Sequence, residues 1–167
     1  MAEIPAWLTP IITIESFDGD PEKYIENIFS IFKRDFIDTA PFLHDKVIFF
    51  DRKDDNGRPA AFLHITTEED KATGCRNISL RRCERIEWVR AIIEHIDDPA
   101  VLYWKKEQYT ARRWATRTYL FLEQENFLVV LEEMTNGNLL ITAIYVDLPH
   151  QKRKHLRDCE AYKKANP

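Results

Sequence analysis

Phe127-Leu-Val-Val-Leu-Glu-Glu-Met-Thr-Asn-Gly-Asn-Leu-Leu-Ile-Thr-Ala-Ile-Tyr-Val146 sets two apolar runs on either side of a polar turn. Residues 127 to 133 and 139 to 146 are rich in β-branched and large aliphatic side chains, which suit a pleated, half-buried surface. Between them, Thr135-Asn136-Gly137-Asn138 contains Asn-Gly, a strong signal for a two-residue hairpin turn. A third strand is expected just upstream, at about 116 to 123. There Arg117 and Tyr119 share one face, while Thr116, Thr118, Leu120 and Leu122 share the other. In the last strand Thr142 points away from Ala143 and Tyr145. Farther upstream, Val101 to Trp104 reads as a short strand, followed by a basic, aromatic-rich segment to about Trp114.

The same reading extends to both ends. Asp20-Pro21 opens a helix, since Asp caps and Pro suits the first helical position, and Tyr24, Ile25, Ile28, Ile31, Phe32 and Phe36 follow at helical spacing up to Thr39-Ala40-Pro41. Val47 to Phe50 reads as a strand, Asp54-Asp55-Asn56-Gly57 as a turn and Ala60 to Thr66 as the returning strand, which puts His64 near a strand end. Residues 67 to 79 read as a loop. Leu80-Arg-Arg-Cys-Glu-Arg-Ile-Glu-Trp88 reads as a helix ended by Asp97-Asp98-Pro99. Arg81, Glu84, Arg85 and Trp88 would share one stripe of it, and Cys83, Ile86, Val89, Ile93 and Ile96 the core stripe. A final helix from about Pro149 to Lys164 carries Lys152, Arg153, Lys154 and Arg157. The architecture predicted is α+β: a curved antiparallel sheet with helices packed on one face.

Composition narrows the class. The chain has 167 residues, enough for one domain with a sizeable core, and its 44% hydrophobic content argues against disorder. No apolar run reaches the roughly 20 residues of a bilayer span, and Met1-Ala2-Glu3-Ile4-Pro5 lacks the basic start of a secretory signal. Three cysteines without CxxC spacing suit a reducing cytoplasm, the expected location. The net charge of −4 hides an asymmetry: residues 1 to 70 hold 15 acidic and 7 basic side chains, the remainder 13 and 17. Basic charge therefore gathers in the part of the chain that holds the arginine run, either as a polyanion-facing surface or as ordinary solvated charge.

The chemistry legible in these residues is phosphodiester chemistry. Paired guanidiniums suit phosphate because each offers a planar fork of donors. His64 can exchange a proton near neutrality. In metal-free ribonuclease chemistry a base deprotonates the 2′-hydroxyl, cations stabilise the phosphorane and an acid protonates the departing oxygen. His64, Arg81 and Arg85 fit those roles, with Thr142 as a further catalytic group. Arg117, Tyr119, Trp88 and Thr66 are candidates for substrate binding. Each also has a plainer reading, since Thr and Tyr are good strand formers and a lone His is often structural. His150, His155, Cys75 and Cys83 lack recognisable zinc spacing, and no GxGxxG or Walker sequence occurs, so neither a metal nor a cofactor is expected.

The segments His64-Ile-Thr, Leu80-Arg-Arg-Cys-Glu-Arg-Ile-Glu-Trp88, Phe127-Leu-Val-Val-Leu-Glu and Leu139-Leu-Ile-Thr-Ala-Ile-Tyr-Val resemble a family of small bacterial proteins associated with phages and mobile elements. That family is in turn similar to the nuclease-like superfamily of barnase, EndoU, colicin tRNases and RelE, the BECR fold. The resemblance covers about Val47 to Tyr162. It implies a helix followed by a curved antiparallel sheet, RNA cleaved without metal, and a site at His64, Arg81, Arg85 and Thr142. An antitoxin or immunity protein would be a partner beside RNA. Where the family often has an aromatic before the histidine and a proline near the tryptophan, this chain has Leu63 and Val89. A single domain over 1–167 is expected, with 1–45 a helical extension and 46–165 the nuclease-like core.

The rival is a non-catalytic interaction or nucleic-acid-binding protein whose arginines pair internally with Glu84 and Glu87. Exposure of His64, Arg81 and Arg85 in one concave pocket, with functional groups on the order of 10 Å apart, would favour the enzyme. Saturated internal bonds would favour the rival.

Overall fold

The computed structural model describes residues 3–167. Asp20 accepts hydrogen bonds from the backbone N–H groups of Glu22 and Lys23 and so starts α1 (Pro21–Phe32), which continues as wider π-helical turns over Lys33–Asp38. Strands β1 (Phe42–Leu43) and β2 (Lys46–Phe50) follow, then a small hairpin of β3 (Asp54–Asp55) and β4 (Arg58–Pro59). Next come α2 (Ala60–Thr66), a second small hairpin of β5 (Thr67–Glu69) and β6 (Arg76–Ile78), α3 (Leu80–Glu84) and α4 (Ile86–Glu94). The chain closes with β7 (Val101–Thr110), β8 (Arg113–Leu122), β9 (Phe127–Met134), β10 (Gly137–Tyr145) and α5 (Pro149–Ala165).

Six strands form one sheet in the order β1-β2-β10-β9-β8-β7, antiparallel throughout except where β2 runs parallel to β10. Helices pack beside this curled sheet, so the fold is α+β. Helices α1 to α4 cover one face, joining Ile28, Phe32, Phe62, Ile65, Val89 and Ile92 to Leu120, Leu122, Val129 and Leu131 of the strands. Phe32 is enclosed by the rings of Phe36, Phe50 and Phe62. Burying a side chain of this size stabilises by about 1.5–3 kcal/mol. The segment before residue 46 thus shares the sheet's own core. Helix α5 is an addition on the opposite face, where Cys159 and Leu156 meet Trp104, Tyr119, Phe121, Leu128 and Val130. Cover on both faces explains why Leu120 to Leu122 and Phe127 to Leu131 are buried without alternation.

Several local expectations change. Residues 60–66 are helix, not strand: the buried set Ala61, Phe62, Ile65 and Thr66 follows a helical period, and Thr66 Oγ1 donates to the Phe62 carbonyl four residues back. Residues 67–79 hold a short hairpin rather than loop alone. The arginine helix breaks at Arg85, whose φ of −109° and ψ of 21° separate α3 from α4. In the β9–β10 hairpin the turn residues are Thr135 and Asn136, because Gly137 already pairs with Met134. Gly137 is required for another reason: a Cβ there would lie 2.3 Å from the Val47 carbonyl oxygen of β2. The basic segment after Trp104 extends β7 and turns into β8. Among the described residues no helix is long and apolar enough to cross a membrane.

Candidate functional site

His64 is exposed on the last turn of α2 and lines a depression of about 420 Å³ with Thr142, Asp51, Glu68, Arg76 and Arg82. Helix α2 lies against β10 beyond Leu140, where β2 has stopped pairing with it and the strand is irregular between Leu140 and Thr142. Thr142 Oγ1 donates to the His64 carbonyl at 2.9 Å, and Arg82 Nη1 donates to that same oxygen at 3.1 Å and to the Thr67 carbonyl at 2.8 Å. Arg76 supplies Nε to Thr67 Oγ1 and Nη2 to the Thr67 carbonyl. These donors satisfy carbonyls at the C-terminal end of α2 that the helix leaves unpaired, and cations are favoured there. Burial holds the Arg82 guanidinium below the usual arginine value, opposed by Glu68 at 3.4 Å. Asp51, Glu68 and Glu69 outnumber the two arginines in the lining, so the depression does not concentrate positive charge.

The other candidates lie elsewhere. The guanidiniums of Arg81 and Arg85 stand 4.5 and 4.8 Å from the centre of the Tyr145 ring. Arg85, nearly buried, donates through Nη1 to the Arg81 carbonyl and to Glu84, while Glu87 pairs with Arg34. Trp88 and Thr66 are core residues; the Trp88 indole N–H donates to the Thr9 carbonyl. Trp88 stays beside Arg85, whose guanidinium lies 5.2 Å from the centre of its ring, while the ring itself is buried with Val89 and Ile92. Arg117 and Tyr119 lie on the α5 face. Arg117 shares the buried carboxylate of Glu132 with Arg113, and Tyr119 stacks on Trp104 and accepts from Gln108. Thus His64 and Thr142 come together, with Arg76 and Arg82 as companions that the helical-stripe reading passed over. Arg81 and Arg85 come together around Tyr145. Among the described residues no cluster of three or more His, Cys, Asp or Glu is arranged to hold a metal ion.

A second surface has a different character. β8 pairs with β9 only from Arg117 to Leu122, whereas β7 and β8 remain paired out to Thr110 and Arg113. The intervening residues project as a two-stranded arm about 13 Å long at the usual strand rise. Tyr109 and Trp114, 63% and 71% exposed, meet edge to face near its tip. Ala111 and Arg112 form the turn, both with positive φ. On α5, Arg153, Lys154, Arg157, Lys163 and Lys164 are exposed, and among the described residues none is ion-paired.

No protein-family model matches the chain, and no significant match was found among curated proteins or among solved structures.

Proposed function

We propose that this protein binds single-stranded nucleic acid without cleaving it, using the β7–β8 arm and the outer face of α5. The arm tip carries this reading: two aromatic rings stand in water beside the exposed Arg112 at the end of a projecting hairpin. Exposed rings offer stacking surfaces to unpaired bases, and arginine supplies both phosphate bonds and a stacking plane. Arg82 and Arg85, by contrast, are engaged within the fold, Arg82 on the α2 carbonyls and Arg85 on Glu84, the Arg81 carbonyl and Tyr145, while Arg81 is exposed over the Tyr145 ring. Free thiols at Cys75, Cys83 and Cys159 suit such work in a reducing cytoplasm.

The test is fluorescence anisotropy of a labelled single-stranded RNA against its duplex, across a salt series. Preference for the single strand is expected, with a negative slope of log affinity on log salt. Trp114→Ala should weaken binding about tenfold or more, the usual share of one stacked base. Equal binding of duplex and single strand, or an indifferent Trp114→Ala, would reject this reading.

A second reading, metal-independent RNA cleavage by 2′-hydroxyl attack, is favoured by one observation: His64 and Thr142 share a depression with two guanidiniums. The antitoxin or immunity partner belongs to this reading alone. RNA incubated with protein and excess chelator would then yield 2′,3′-cyclic phosphate ends, and His64→Ala would lower the rate by about 10²-fold or more. Intact RNA after prolonged incubation removes it.

A further inference from the structure

Helix α5 covers only part of the sheet face it occupies, lying over β7 and over Tyr119, Phe121, Leu128 and Val130. Register follows the same face to the other edge of the sheet. Arg117 of β8 stands opposite Glu132 of β9, Glu132 opposite Leu139 of β10, Leu139 beside Phe49 of β2, and Val47 opposite Phe42 of β1. Met134, two residues beyond Glu132, pairs with Gly137, which in turn lies beside Val47. Burial alternates accordingly, because Ile48, Phe50 and Leu140 between these positions are buried under the helices of the other face.

Phe42, Met134 and Phe49 are 56%, 42% and 40% exposed, and Val47 and Leu139 between them are half-buried. Among the described residues none of the five belongs to either hydrophobic core. The Phe49 ring lies over Gly137, with Cε2 only 2.8 Å from where a Cβ would stand, so the glycine leaves room for the ring against the sheet. Single exposed apolar side chains are ordinary, but a contiguous group across four strands marks an interface.

Charge at the two ends of this patch selects its occupant. At the β2 end, Asp51, Glu68 and Glu69 stand against Arg76 and Arg82 in the depression that Leu139 also lines, a net of one negative charge. At the β8 end, Arg113 and Arg117 share the single carboxylate of Glu132, a net of one positive charge. Asp51 is exposed and has no ion pair among the described residues, and the Arg113 side chain is 52% exposed. A surface that is apolar in its middle and oppositely charged at its ends is complementary to itself across a two-fold axis, since each end then meets its opposite. We infer that this face joins two copies of the chain in a symmetric dimer, with Phe42, Phe49 and Met134 buried between the sheets and Asp51 of each copy facing Arg113 of the other. The dimer is independent of the nucleic-acid reading: Trp114 follows Arg113 in the strand and Tyr109 stands opposite Trp114, so both rings point to the other face of the arm.

Sedimentation velocity of the full chain over a series of protein concentrations tests this inference. A monomer–dimer equilibrium is expected, weakened by salt because exposed charge pairs are screened. Phe42→Ser and Phe49→Ser, at exposed positions outside both cores, should each raise the dissociation constant about tenfold or more, as loss of a large apolar side chain from an interface does. Asp51→Lys should also weaken the dimer. A monomer at every concentration, or a dimer indifferent to Phe42→Ser and Phe49→Ser, would overturn the inference. A dimer indifferent to Asp51→Lys and to salt would overturn the two-fold arrangement. A monomer that binds vesicles of anionic phospholipid, and loses them on Phe49→Ser, would replace the second copy by a lipid surface.

Discussion

Glu132 concentrates the strongest electrostatic demand placed on a single side chain here: 2% exposed, it receives the guanidiniums of both Arg113 and Arg117. The partners differ, because the arginines keep contact with water while the carboxylate does not. Removing the acid and removing the bases should therefore cost unequal amounts. Glu132→Gln should destabilise by about 1–3 kcal/mol, the range for a buried hydrogen-bonding group left imperfectly paired. The double change Arg113→Met and Arg117→Met strands a buried charge and should cost more, about 3–5 kcal/mol. Urea unfolding of the two variants decides it, and equal losses would mean that water reaches Glu132. At this scale the sequence was legible in residue type but not in partner. Arg117 was chosen for its guanidinium; that its partner would be Glu132 depended on the register of β8 against β9.

At the scale of elements, the β9–β10 hairpin and the β7–β8 arm invert the usual placement of glycine. The arm turns through Ala111 and Arg112 with φ of 48° and 63°, positions that favour Asn and Gly. Replacing them by Asn-Gly should stabilise the arm, by about 0.5–1 kcal/mol for each residue relieved of left-handed strain. The same change removes the Arg112 cation, so nucleic-acid affinity should fall while the melting temperature rises; calorimetry and anisotropy on one sample check both. Gly137, conversely, has no positive φ and serves the close approach of β2 to β10. Gly137→Ala should cost about 1–3 kcal/mol, as overpacking does, with hydrogen-exchange protection lost first along β2. Helix existence was readable where periodicity ran long, as in α1 and α5. It was not readable at 60–66, where seven residues fit either period and only packing under β10 decides.

Across the whole molecule, α5 joins the sheet through a layer of aromatic rings around His155, which lies about 6 Å from the centroids of Trp104, Tyr119 and Phe121. Burial is the main cause holding its imidazole below the ordinary value; Lys154 and Lys106 reinforce this and Asp158 opposes it. The unfolded chain therefore takes up this proton first as the pH falls. Stability from this group is complete above the unfolded value, near 6.5, and is lost as pH drops through the lower folded value. The melting temperature should decline between roughly pH 7 and 5, and His155→Phe should flatten that decline. An unchanged slope in the variant would move the pH dependence to another group.

The sequence by itself determined the α+β class, the strands near 101–104, 116–123, 127–133 and 139–146, the first helix with its Asp20 cap, and the last helix. These follow from local periodicity and turn chemistry that act over a few residues. It also placed Thr118 with Leu120 and Leu122 on one strand face. Only the tertiary structure decided which functional side chains meet. His64 joined Thr142 through a helix docked on a strand, Arg82 was turned onto carbonyls, and Arg81 and Arg85 met around Tyr145. Those meetings depend on register, on the break at Arg85 and on the curl of the sheet. Each of these is set by contacts between residues far apart in the chain, which no local pattern encodes.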